Sequence, residues 1–112
     1  MSGDEVRLFA CPYLQAEVHL SRGREAHMTE RHPDLLPEYR DCVRATLADP
    51  DQVRRSRRMG TARLFSRWHS ELRGGKHVVV VVISEGDNGR HWIITAYTAR
   101  KLVEGEIEWA RN

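Results

Sequence analysis

The sequence predicts an α+β fold: two short N-terminal strands and two helices packed on one face of an antiparallel meander sheet. Three observations carry this. Ala16, Val18 and Leu20 alternate with Glu17 and His19, the period of a half-buried strand. Tyr39, Cys42, Val43, Thr46 and Leu47 fall at i, i+3, i+4, i+7 and i+8, the stripe of an amphipathic helix. Val78 to Ile83 is an unbroken β-branched run, as expected of a central strand covered on both faces.

Taken in order, Val6 to Cys11 and Gln15 to Leu20 read as strands joined by a turn at Pro12. Ser21 can cap a helix by accepting from an early backbone N–H, and Pro33 stops that helix just after His32. A second helix starts at Pro37, where a missing N–H costs nothing, and ends at Asp49-Pro50. Gln52 to Ser56 is a brief extended segment. Thr61 to Glu71 is a strand with Leu64 and Trp68 on one side and Arg63, Phe65 and Arg67 on the other. Gly74-Gly75 turns into the strand His77 to Ser84, GDNG at 86–89 makes the next hairpin, and His91 to Thr98 follows. Ala99 to Glu104 reads as a helical turn and Ile107 to Trp109 as a closing strand or edge. With no repeat, linker or low-complexity tract, residues 1–112 read as one domain.

Composition is ordinary for a globular chain, with 40% apolar and 30% charged residues. No apolar run approaches the roughly 20 residues of a membrane span, and the first residues lack the pattern of a signal peptide. Cys11 and Cys42 have no CxxC spacing and read as reduced, partly buried thiols of a cytosolic protein. Charge is unevenly spread. Arginines at 54, 55, 57, 58, 63, 67 and 73 and Lys76 face only Glu71 between Gln52 and Lys76, whereas the stretch before it leans acidic. That asymmetry points to a polyanion-binding surface, or to a solvated arginine-rich loop.

Chemistry concentrates in Ser21 to Asp34, SRGREAHMTERHPD, a helix too polar for an ordinary core element. Arg24, His27 and Arg31 share one face. Glu25, Thr29 and His32 share the adjoining one, with Met28 between. The two imidazoles lie about 140° apart on a helix turning roughly 100° per residue, and the face carrying His27 is expected to look into a cleft. Histidine can give or take a proton near neutral pH; alternatively, His32 merely ends the helix favourably and His27 is a surface residue. No metal ligand set is expected: His27 and His32 lack i, i+4 spacing, and neither HExxH nor CxxC occurs. P-loop, GxGxxG and GxSxG patterns are absent as well, so no nucleotide cofactor is implied. In Thr95-Ala96-Tyr97-Thr98, alternation puts Thr95 and Tyr97 on one face, either as functional hydroxyls or as ordinary β-formers.

These residues carry a family likeness. Ser21-x-x-Arg24-x-x-His27-Met28-x-x-Arg31-His32-Pro33-Asp34 resembles the LSxxRxxHIxxRHPE motif of the phage-associated barnase/EndoU/colicin/RelE-like (BECR) nucleases. Leu47 to Ser56 resembles their L-x-x-PD-x-V-x-x-S segment, and Ile93 to Tyr97 their last conspicuous strand. Glu25 stands where the family often has Trp, Asp34 where it has Glu, and Ser66-Arg67-Trp68 is more polar than the usual strand. The resemblance implies metal-independent cleavage of RNA by its own 2′-OH, a hydrolase-class endoribonuclease of toxin-like kind in the cytoplasm, without cofactor. It implies RNA as partner, together with an antitoxin or immunity protein. His27 or His32 would be the acid or base, with Thr95 and Tyr97 positioning the scissile group. Arg24, Arg31, Arg54, Arg57 and Arg67 would hold phosphate. The competing expectation is a non-catalytic RNA- or protein-binding module of the same fold.

Overall fold

The computed structural model describes residues 6–32, 40–72, 74–86 and 89–111. The elements are β1 (Val6–Cys11), a 3₁₀ turn (Pro12–Leu14), β2 (Ala16–Ser21), α1 (Arg22–Arg31), α2 (Arg40–Ala48), β3 (Gln52–Arg55), β4 (Ala62–His69), β5 (Lys76–Glu85), β6 (Arg90–Ala99) and β7 (Glu106–Ala110). The helix stop at Pro33, the helix start at Pro37, Tyr39, and Asp87 and Asn88 of the hairpin lie outside the described residues.

The α+β class is as expected, but the sheet is not an antiparallel meander throughout. All seven strands form one sheet in the order β1-β2-β6-β5-β4-β3-β7. Strand β2 runs parallel to β6, with Val18 opposite His91 and His19 opposite Trp92. The other pairings are antiparallel. The run from β3 to β6 leaves β6 with an unpaired edge, a liability in an apolar sheet, and the β1–β2 hairpin covers it. Alternation along Ala16–Leu20 distinguishes the inside of a strand from its outside, but says nothing about the direction of its neighbour.

Register divides the sheet into two faces. Val53, Phe65, Val80 and Ala96 stand opposite one another across β3, β4, β5 and β6. They share one buried core with Met28 of α1 and Val43 and Leu47 of α2. Helix α2 packs on β1, β4 and β5, and α1 lies against β2 and β6. The α2 stripe is legible in the structure as written in the sequence: Cys42, Val43, Thr46 and Leu47 are all buried. The central position of β5 also holds, although Val81 and Ile83 are only half-buried. A bulge between Val81 and Val82 lets both Ile93 and Ala96 of β6 reach the core.

The helical turn expected over Ala99–Glu104 is absent. Ala99 ends β6, and the chain continues without helix to β7, an edge strand paired with β3. Two contacts shape this segment. Gly105 takes a φ of +82°, and Arg54 donates to the Glu104 carbonyl at 3.4 Å.

Candidate functional site

Helix α1 is anchored by charge more than by apolar packing, since Met28 is its only buried residue. Ser21 Oγ accepts from the Arg24 N–H at 3.1 Å and starts the helix as expected. Glu25 receives Arg7 and Arg40, each at 2.8 Å, tying α1 to β1 and α2. His32 caps the other end, donating its backbone N–H to Met28 O at 2.7 Å. This mounting turns the Met28 side of the helix toward the sheet. His27, Arg24 and Arg31 are exposed, the reverse of the expectation that the His27 face looks inward. The His32 ring instead stands beside Tyr97 of β6, centroids 6.3 Å apart and planes inclined by 39°.

Tyr97 belongs to the sheet face opposite the core. It lies in register with Val79 and, through it, Ser66. These three line a cavity of about 400 Å³ with Arg54 of β3 and Leu102 and Glu104 from the segment after β6. Tyr97 and one arginine of the basic run, Arg54, thus share this cavity, while His32 stands beside Tyr97 without lining it. Burial, and then the nearby Glu104 carboxylate, push the Tyr97 phenol up, so it stays a neutral O–H donor at physiological pH. Arg54 gives its Nε to Gln52 at 3.0 Å and has no ion pair among the described residues.

Four other arginines of the run are paired, while Arg58 is exposed. Arg55 and Arg63 both bind Glu108 at 2.9 Å, Arg67 binds Asp49 at 2.9 Å, and Arg57 approaches Glu106 at 3.7 Å. The basic surface read along residues 52–76 is therefore partly neutralised by Asp49, Glu106 and Glu108 from elsewhere in the chain. Arg67 also stands with Phe65 on the core side of β4, away from the cavity. Thr95 shares the Tyr97 face one row along, in register with Val81, but does not line the cavity.

Two lining groups escaped the sequence reading. Lys101 joins the wall that was read as a helical turn. Ser66 is buried, and its Oγ has no hydrogen-bond partner among the described residues. A buried hydroxyl aimed at a cavity is available to a ligand. Its signal was present, because alternation sets Ser66 on the same face as Leu64 and Trp68. Neither cysteine has the lowered thiol of an activated nucleophile. Burial raises the Cys11 thiol, while burial and the Glu71 carboxylate push Cys42 up to about 12.

Among the described residues no helix is long and apolar enough to cross a membrane. No family model, curated protein or solved structure matches the chain.

Proposed function

We propose that the protein is a metal-independent endoribonuclease of toxin-like kind, acting on cytosolic RNA within a BECR-like fold. The observation that supports this is Tyr97, which shares one cavity with Arg54 and has the His32 ring beside it, the three coming from distant parts of the chain. In the reaction the ribose 2′-oxygen forms a bond to the adjacent phosphorus as the bond to the 5′-oxygen breaks, leaving a 2′,3′-cyclic phosphate. His32 takes the 2′-OH proton. The neutral Tyr97 phenol donates toward the departing 5′-oxygen. Arg54 and the Ser66 hydroxyl face the charge that builds on the phosphoryl oxygens. The apolar surface of Leu64, Val79 and Leu102 suits a base or ribose rather than a bare phosphate. DNA, which lacks the 2′-OH, would not be cut. A cytosolic enzyme of this kind calls for an inhibitor, an antitoxin or immunity protein, that covers the cleft.

The exposed arginines outside the cavity, Arg24, Arg31 and Arg58, favour a second reading, a non-catalytic RNA- or protein-binding module. Its expected behaviour is salt-sensitive RNA binding without cleavage. The deciding experiment is incubation of purified protein with single-stranded RNA in EDTA. Cyclic-phosphate ends are expected in wild type. Losses of about 10²-fold or more are expected in His32→Gln and in Tyr97→Phe, with His27→Ala near wild type. Full activity in folded His32→Gln would sink the site, and RNA binding with no cleavage would establish the second reading.

A further inference from the structure

On the opposite side of the sheet, beneath α2, three donors from separate elements come together. Cys42 lies on α2, His69 at the end of β4, and Glu71 just beyond it. Their ligand atoms all lie within 4.8 Å of one another. Glu71 Oε2 is 3.4 Å from Cys42 Sγ and 3.3 Å from His69 Nδ1. A tetrahedral zinc ion with ordinary bond lengths has sulfur–oxygen and nitrogen–oxygen edges of about 3.5 and 3.3 Å. Two of the three edges already stand at those separations, and the sulfur–nitrogen edge lies within 4.8 Å.

The hydrogen bonds behind the imidazole give the second observation. Thr46 Oγ1 lies 2.7 Å from the Cys42 carbonyl and uses its single proton there. Toward His69 Nε2, at 3.0 Å, that hydroxyl can then only accept. The ring proton is thereby placed on Nε2, and Nδ1 turns a lone pair toward a carboxylate oxygen. Two lone pairs at that distance repel each other, so the gap calls either for a second ring proton, which makes a His69–Glu71 ion pair, or for a metal ion. A hydroxyl that fixes the tautomer from behind is what orients a ligating histidine in a metal site.

We infer that Cys42, His69 and Glu71 form a binding site for a zinc-class divalent cation that clips α2 to the end of β4. Cys42 and His69 are buried, each 4% exposed, while the Glu71 carboxylate reaches solvent. The metal therefore enters past Glu71, and the fourth position stays open to water. Soft sulfur and imidazole nitrogen select zinc over magnesium or calcium. Binding displaces the thiol proton into solvent and forms the metal–sulfur bond. Because the thiol must lose its proton to bind the metal, affinity rises with pH. The clip lies across the sheet from the His32–Tyr97 cleft and is independent of the nuclease reading.

Cobalt(II) titration of the full chain tests this. At about one equivalent a thiolate-to-cobalt charge-transfer band is expected in the near ultraviolet, with tetrahedral bands in the visible. Zinc should bleach both and raise the melting temperature. Cys42→Ser should abolish the near-ultraviolet band. Glu71→Gln, at an exposed position that the fold tolerates, should weaken binding at least tenfold. Wild-type affinity should be greater at pH 8 than at pH 6. Absence of the band in wild type, its persistence in Cys42→Ser, or unchanged affinity in Glu71→Gln would each overturn the assignment.

Discussion

Glu25 holds two guanidinium groups while only 14% of its side chain is exposed. Burial alone would raise its carboxyl, but the hydrogen bonds from Arg7 and Arg40 outweigh that and hold it below the usual carboxylate range. The sign follows from the two states. With a folded pKa below the unfolded one, the stabilisation is present above the ordinary carboxylate pKa and is lost as pH falls through the lowered value. Glu25→Gln should therefore cost about 1 kcal/mol at neutral pH. The gap from wild type should close below about pH 4. Thermal melts at pH 7 and pH 3 check this, and a gap unchanged between them would rule it out. The same residue explains how α1 is aimed. An ion cluster does the anchoring here, and helical periodicity shows two faces without saying which one turns inward. Met28 was the usable sign. As the only buried residue of α1, it stands at i, i+4 to His32 and marks that side as the inner one.

At the scale of elements, the segment between β6 and β7 decides the shape of the cavity. A Cβ on Gly105 would lie 2.7 Å from the Arg55 carbonyl oxygen and 3.3 Å from Arg54 Cβ, at a φ of +82°. Both the backbone angle and the close approach require glycine, and the approach sets Glu104 against Arg54. Gly105→Ala should cost about 1–3 kcal/mol. Gly60→Ala, where a Cβ meets open space, should change stability by no more than about 0.5 kcal/mol. Chemical denaturation of both variants is the measurement, and equal losses would contradict the account. The sequence reading took this stretch for a helical turn because Leu102 and Glu104 carry no mark of what they touch. Their placement comes from β3, some 50 positions earlier in the chain. Strands β1, β3, β4 and β5 were legible nearly to the residue, since alternation and turn glycines are local properties. The cavity needed Tyr97, Ser66 and Arg54 to be paired across four strands, and pairing is not local.

The same contrast holds for the whole molecule. Counting charge along the chain finds a basic run, whereas the folded sheet brings Glu106, Glu108 and Asp49 to those arginines and leaves Arg54 apart. Arg54 is the cation of that run that lines the cavity, while Arg58 stays exposed outside it. The mixed topology has a comparable origin. The two N-terminal strands were visible, but their attachment to β6 depends on which edge of the finished sheet is still open.

That seam between β2 and β6 has a consequence in time. His19 Nδ1 meets the His91 carbonyl at 3.2 Å across 72 positions of sequence. Closing a loop of that length costs about 4 kcal/mol of chain entropy before any contact offsets it. The β1–β2 hairpin and the β4–β5–β6 run can each form from neighbours in sequence, so the seam between them closes late. Val18→Ala, at the seam, should speed unfolding and leave the folding rate nearly unchanged. Val80→Ala, in the middle of β5, should slow folding itself. Stopped-flow refolding and unfolding rates distinguish the two, and a folding rate that drops for Val18→Ala would contradict this order. Since α1 follows directly on β2, its histidine is brought to Tyr97 only as the seam closes. During synthesis the chain carries His32 well before Tyr97 exists, so the two rings are separated by order of manufacture as well as by sequence.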